Sequence, residues 1–150
     1  MAKIIGPSSS VAKPIKTLVD YLMAAANQKW EIDLNKALRL AGQRQDPVLA
    51  AFVGLAWCYP CQKLEAEVFE TMKFLTWSYG RVVLLRLDYS PTPSAVSEEM
   101  KQLLQTYNIQ GYPSILGLNA QGNEIGRVVG YGAGTGPEAW IDSFESEMGW

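Results

Sequence analysis

Cys58 and Cys61, the only two cysteines in 150 residues, stand three apart in Trp57-Cys58-Tyr59-Pro60-Cys61. Residues three apart in a first helical turn have Cβ atoms roughly 5–6 Å apart, and that spacing allows a disulfide to close. A cysteine at a helix N-terminus meets unpaired backbone N–H groups and the positive end of the macrodipole, both of which favour a thiolate. The thiolate is the nucleophile of disulfide exchange, so a pair placed there is closable and reactive at its first member. The loop the pair closes is too short to constrain the unfolded chain, so it is not a structural staple. The chain has no histidine, which removes His metal ligands, Cys–His and Ser–His nucleophile pairs and a His acid–base. No methionine stands two before Cys58, and no further soft ligand accompanies the pair, so a Cu(I) carrier or zinc site is a weaker alternative.

The flanks supply the elements that would position the pair. Val48–Val53 is an apolar run of strand length ending in Gly54. After it, Cys61, Leu64, Glu65, Val68, Met72 and Leu75 recur at helical spacing, giving an amphipathic helix from Cys58 to about Trp77. Asp33 is the expected N-cap of a preceding helix with Leu34, Ala37, Leu38 and Ala41 on its apolar face, stopped by Gly42. Beyond Gly80, residues 82–87 read as a strand covered on both faces, and Asp88 to Ser97 as a loop. Ser97 with Glu98 and Glu99 opens a helix through Met100, Leu103, Leu104 and Tyr107. Ser114–Leu118 and Glu124–Val129 form a hairpin around Gly122. Gly130 to Gly136 is a loop, and Pro137 starts a last helix with Trp140, Ile141, Phe144 and Met148 on one face.

Upstream, Met1 to Ser10 reads as a flexible lead. Lys13 to Gln28 reads as a short amphipathic helix, with Ile15, Leu18, Val19, Leu22, Met23 and Ala26 on one face. A secretory signal, with Lys13 and Lys16 as basic flank and Ala24 to Ala26 as cleavage site, is disfavoured by Asp20. The stretch is too short to span a membrane. The division expected is an arm or helix over 1–29 and one domain over 30–150.

The resulting order is helix, strand, helix, strand, helix, strand, strand, helix. Right-handed crossovers make the first two strands parallel neighbours, and the hairpin adds an antiparallel pair at an edge. A Cys-x-x-Cys after the first strand of such a unit is a redox signature. The chain resembles the thioredoxin superfamily from about Trp30 to Trp150, notably its branch of bacterial-envelope disulfide-interchange domains. Three segments carry the resemblance: Phe52 to Phe69 around the cysteines, Tyr107-Asn108-Ile109-Gln110-Gly111-Tyr112-Pro113-Ser114, and the hairpin with Gly130-Tyr131. It implies an α/β, thioredoxin-like fold: a central mixed four-stranded sheet flanked by helices, here with an extra N-terminal helix.

The resemblance also implies roles. Cys58 would be the attacking thiolate and Cys61 the buried thiol that resolves the mixed disulfide. Trp57 would shield the disulfide and meet partners, and Tyr59 and Pro60 would tune the reduction potential. Pro113 would be a cis-proline facing the cysteines, and Tyr112 would offer backbone groups to a bound peptide. Thioredoxin itself carries a buried aspartate in the strand before the cysteines, where Phe52 aligns here. Glu65, four residues after Cys61, and Arg86, on the second strand, are the alternatives for handling the proton or the thiolate charge.

The function expected is a thiol–disulfide oxidoreductase, with protein disulfide or dithiol substrates and a separate electron donor or acceptor. It would need no cofactor, hold no metal and act as a monomer. A non-catalytic interaction module using the groove between Trp57 and Tyr112 is the other alternative. A net charge of −2 gives no basis for a nucleic-acid partner. The compartment reads as cytoplasmic as the sequence stands, and as periplasmic or exported if an upstream signal was removed.

Overall fold

The computed structural model describes residues 17–150. The elements follow in order as α1 (Leu18–Ala26), α2 (Leu34–Arg44), β1 (Val48–Val53), α3 (Tyr59–Leu64), α4 (Met72–Ser78), β2 (Val83–Asp88), α5 (Glu98–Thr106), β3 (Ser114–Leu118), β4 (Glu124–Val129) and α6 (Pro137–Met148). The sheet order is β2-β1-β3-β4. β1 runs parallel to β2 and antiparallel to β3, and β3 pairs antiparallel with β4. This is the mixed four-stranded sheet expected, and the bounds of β1, β3, β4 and α6 fall where the apolar patterning put them.

All six residues of β1 are buried, because both faces of the sheet are covered. Leu49, Ala51 and Val53 point into a cluster with Leu64, Val68, Phe69, Phe74, Trp140, Ile141 and Phe144, from α3 and the turn that follows it, α4 and α6. Val48, Ala50 and Phe52 point the other way, with Ala37, Ala41, Leu116 and Leu118 and the half-buried Leu103 and Leu104. The alternation follows from the period of two along a strand. Phe52 therefore lies on the sheet face opposite the cysteines, which share the first cluster. An acid at that register would point away from them in this chain.

Register sets the geography of the site. Phe52 is paired with Ser114, so residue 113 lies level with Val53, the last residue of β1, beside the turn that leads into α3. Ser114 is paired with Val129, which brings residue 130 alongside 113 in turn.

Three local expectations are corrected. First, the helix expected from Cys58 to about Trp77 is interrupted. It widens into a π-turn over Glu65–Phe69, closed by Glu70 N–H donating to the Glu65 carbonyl at 2.9 Å, and then stops. Thr71 is extended and caps α4, its hydroxyl accepting from the Phe74 N–H at 3.2 Å and donating to the Val68 carbonyl at 2.7 Å. The new helix direction buries Phe74 and leaves Met72 exposed. Second, α2 runs through Gly42 to Arg44 and ends at Gln45, in the left-handed region at φ 59°. The Ala41 carbonyl accepts from both Gln45 and Asp46 N–H groups. A glycine inside a helix costs about 1 kcal/mol, and the burial of Ala37 and Ala41 together with this cap outweighs it.

Third, α1 forms but turns the opposite face inward. Leu18, Val19 and Met23 are exposed and Ala25 is buried. The helix is held on α4 by Tyr21, whose hydroxyl donates to the Thr76 carbonyl at 2.6 Å, and by Gln28, whose amide donates to the Leu75 carbonyl at 2.8 Å. Tyr21 supplies a donor to the Thr76 carbonyl in the last turn of α4, where intrahelical partners run out. Gln28 adds a donor to the Leu75 carbonyl, which already accepts from the Tyr79 N–H at 3.1 Å. The Tyr21 and Gln28 bonds, the buried Ala25 and the Tyr21 ring against Tyr79 at 5.5 Å orient this helix, rather than the apolar stripe. Ile15, Lys13 and Lys16, and the lead from Met1 to Ser10, lie outside the described residues. Among the described residues no helix is long and apolar enough to cross a membrane.

Candidate active site

Between β1 and α3 the chain reverses on one carbonyl. The Gly54 carbonyl accepts from the N–H groups of Trp57 at 3.1 Å and Cys58 at 2.7 Å. The Trp57 indole lies across Gly54 where a Cβ would stand, so the turn needs glycine there. Leu55 N–H donates to the Asp88 carboxylate at 2.9 Å, which ties the turn to the end of β2. Gln62 closes it from the helix side by donating to the Leu55 carbonyl at 2.8 Å.

Cys58 is the N-cap of α3, in extended backbone conformation, and its sulfur accepts from the Cys61 N–H at 3.2 Å. Pro60 occupies the first turn, where a missing N–H costs nothing. Cys58 and Cys61 are joined in a disulfide with Cα atoms 5.2 Å apart. Cys58 keeps a 5% exposed edge, whereas Cys61 is 1% exposed beneath it. The pair is thus asymmetric towards solvent, with Cys58 outermost.

An aromatic rim surrounds that edge. Trp57, 45% exposed, donates its indole N–H to the Tyr89 carbonyl at 2.9 Å and meets the Tyr112 ring edge-on at 5.3 Å. Tyr112 in turn contacts Tyr89 at 5.8 Å, and Tyr89 stacks on Phe52 at 6.2 Å. Tyr89 is anchored by its hydroxyl, which donates to the Met100 carbonyl at 2.9 Å. Burial pushes the phenols of Tyr89 and Tyr112 up, so both are neutral donors over the physiological range. Tyr59 is 62% exposed, with the Lys63 ammonium 5.7 Å from its ring centre.

The Tyr112–Pro113 peptide bond is cis. The loop before it is held by the Ser114 hydroxyl donating to the Gly111 carbonyl at 2.7 Å. The loop after β4 is joined to it by Gly130 N–H donating to the Pro113 carbonyl at 2.8 Å. Trp57, Cys58, Cys61 and Tyr112 therefore meet in one cluster, with Tyr59 on its exposed rim. Tyr89 and Asp88 belong to the same support; the loop expected over Asp88 to Ser97 includes both, whereas Asp88 is the last residue of β2. The one signal for them is their place where the second strand ends.

Glu65 and Arg86, the two candidates for handling the proton or the thiolate charge, are brought together. The Arg86 guanidinium lies 2.5 Å from the Glu65 carboxylate, with both side chains about four-fifths buried, and its carbon sits 4.2 Å from the centre of the Trp30 ring. Burial raises the Glu65 pKa, and the neighbouring Arg86 charge and hydrogen bond pull the other way without cancelling it. The second carboxylate oxygen of Glu65 is buried without a hydrogen-bond partner. Among the described residues no group of three or more His, Cys, Asp or Glu side chains is arranged to hold a metal ion.

Comparison with known proteins agrees with this geometry. Residues 34–145 match the family described as the thioredoxin-like domain. A curated relative from Chlamydia pneumoniae, the disulfide bond reductase DsbH, is 26% identical over 130 residues, covering 84% of this chain and 76% of its own. The thioredoxin-related protein DsbJ of the same organism is 27% identical over 110 residues, covering 71% of this chain but only 32% of its own. Among solved structures, a DsbH oxidoreductase superposes with a TM-score of 0.72 over 95% of this chain and 94% of its own, at 22% identity. The oxidised C-terminal domain of Neisseria meningitidis DsbD superposes with a TM-score of 0.59 at 18% identity, over 79% of this chain and 99% of its own.

Proposed function

This chain belongs to the thioredoxin-like domain family, and from that premise we propose that it is a thiol–disulfide oxidoreductase working in the reducing direction on protein disulfides. The observation that carries the reading is the Cys58–Cys61 pair at the head of α3, with Cys58 outermost and the Cys61 N–H directed at its sulfur. The reducing direction is supported by a relative named as a disulfide bond reductase.

In the reaction, the reduced Cys58 thiolate attacks one sulfur of a substrate disulfide. The Cys58–substrate bond forms, and the other substrate sulfur leaves as a thiolate that takes up a proton. Cys61, deprotonated, then attacks Cys58 and releases the second substrate thiolate. The substrate gains two electrons and two protons, and the protein is left as the Cys58–Cys61 disulfide, to be reduced by a separate dithiol donor. No organic cofactor enters these steps. Trp57, Tyr59, Tyr112 and the cis Pro113 form the surface a substrate peptide meets, while Pro60 stiffens the first helical turn.

The test is reduction of insulin by dithiothreitol with and without the protein, together with the equilibrium potential of the pair in glutathione buffers. A reductase requires catalysed insulin reduction and a potential nearer the about −270 mV of thioredoxin than the about −120 mV of a strong disulfide-forming oxidant. No acceleration would remove the exchange reading, and a potential at the positive end would reverse its direction.

Glu65 is proposed as the group that takes the Cys61 proton. It lies one turn beyond Cys61 in the same helix, its pKa is raised chiefly by burial, and one of its oxygens has no partner. Glu65→Gln keeps the shape and removes the base. The expected result is a resolving step slowed about tenfold or more near neutral pH, recovering as the pH is raised towards the thiol's own range. Cys61 alkylation across a pH series checks it, and an unchanged profile would take Glu65 out of the mechanism. The same raised pKa has a stability consequence of known sign. The folded protein holds this proton more tightly than the unfolded chain does. Its contribution is therefore full below the unfolded carboxylate range and is lost as the pH rises through the folded pKa.

A further inference from the structure

We propose that Glu67 is a positioning residue. Through Tyr131 and Gly134 it latches the glycine-rich loop 130–136 onto the helix that carries the cysteines, and so sets how well a protein substrate, as opposed to a small disulfide, fits the site. The proposal deepens the exchange reading and rests on it.

The loop depends on glycine for its path, and its internal turn is closed by Thr135, whose N–H and hydroxyl donate to the Gly132 carbonyl at 3.1 and 2.6 Å. Gly130, Gly134 and Gly136 have φ of 82°, 90° and 82°, a region that glycine enters freely and at a large cost in backbone entropy when fixed. Its first residue flanks the site, since Gly130 N–H donates to the Pro113 carbonyl at 2.8 Å. Tyr131 then packs on the cluster that contains Cys58 and Cys61. The Thr135 bonds close the turn on itself and do not join it to the helix that carries the cysteines.

One carboxylate oxygen provides the tie. Oε1 of Glu67 accepts from the Tyr131 hydroxyl at 2.7 Å and from the Gly134 N–H at 2.8 Å. Tyr131 passes the restraint on, its hydroxyl oxygen accepting from the Gly136 N–H at 3.0 Å, at the entry to α6. Lys63 stands 3.8 Å from the other carboxylate oxygen, four residues back towards the cysteines. The donors come from 64 and 67 positions away in sequence, so neither bond is a by-product of local helix geometry. Both are charge-assisted, the stronger kind, and they hold the Glu67 pKa below the usual carboxylate range, the Tyr131 bond first. The latch thus connects the active-site helix, the loop and, through Gly130, the cis-proline segment.

A peptide lying beside Pro113 meets this loop, and a small aromatic disulfide reaching only the Cys58 edge does not. The experiment compares insulin with 5,5′-dithiobis(2-nitrobenzoate) for the wild type, Glu67→Ala, Tyr131→Phe, the Glu67→Ala/Tyr131→Phe pair and Glu67→Gln, each checked for cooperative thermal unfolding. In Glu67→Ala and Tyr131→Phe the insulin KM is expected to rise about tenfold, with kcat and the small-disulfide rate within about twofold of wild type. Glu67→Gln, which keeps the acceptor oxygen, restores most of the affinity. The double variant is expected to lose less than the two single changes added together, because they share the Glu67–Tyr131 bond. Equal losses on both substrates, an unchanged insulin KM, or additive losses in the double variant would overturn the latch. A wild type inactive on both disulfides would instead remove the exchange reading itself.

Discussion

Cys58→Ser is expected to lower disulfide reduction by at least about a thousandfold, to the uncatalysed background, while Cys61→Ser keeps the first half of the reaction. The two outcomes differ because the two sulfurs stand differently. Cys58 is the helix cap and has the exposed edge, and Cys61 lies beneath it with its N–H spent on the Cys58 sulfur. A chromogenic disulfide offered to reduced Cys61→Ser should release one equivalent of thiol per protein and then stop. Mass spectrometry should find the remaining half attached at Cys58. Turnover by Cys58→Ser, or an adduct formed on Cys61 in wild type, would reverse the assignment.

Phe69→Ala is expected to cost about 3–5 kcal/mol of stability, which is the range for emptying an aromatic site in a packed core. Phe69 closes the π-turn, is fully enclosed, and packs against Phe74 at 4.8 Å, Trp30 at 5.0 Å and Trp140 at 5.5 Å. Those partners come from α4, the segment before α2 and α6, so the one ring joins three elements behind the active-site helix. At about 2–4 °C per kcal/mol for a chain of this size, the melting temperature should fall by about 6–20 °C. Phe69→Leu should lose less than half as much, since it refills most of the volume. Urea unfolding of both variants checks the pair of values. A loss under about 1 kcal/mol for alanine would mean that the ring is not the junction its contacts describe.

Much of this architecture was legible residue by residue. Apolar alternation and length placed β1, β3 and β4, because strand patterning reports burial directly. Pro137 and the Trp140, Ile141, Phe144, Met148 stripe placed α6, and Asp33 and Ser97 act as the caps their positions suggested. The failures have one character. Gly42 does not stop α2, Thr71 does stop the active-site helix, and α1 rests on Tyr21, Ala25 and Gln28 rather than on its leucines. In each, contacts made only in the folded chain outweighed the local preference: burial of Ala37 and Ala41 with the Gln45 cap, the Thr71 hydroxyl between Phe74 N–H and the Val68 carbonyl, and the hold of Tyr21 and Gln28 on α4.

The sequence by itself determined the chemistry and the scaffold: two cysteines three apart, a strand before them, a helix after them, and a Tyr-Pro dipeptide far downstream. These are local facts, carried by spacing and periodicity. Only the tertiary structure decided which polar groups meet. Strand register sets Pro113 beside the cysteine turn and Gly130 beside Pro113, helix phase joins Glu65 to Arg86, and the 130–136 loop finds Glu67. Such pairings depend on distances between elements to within an ångström or so, because hydrogen bonds weaken steeply outside a narrow geometry, and no one-dimensional pattern encodes that.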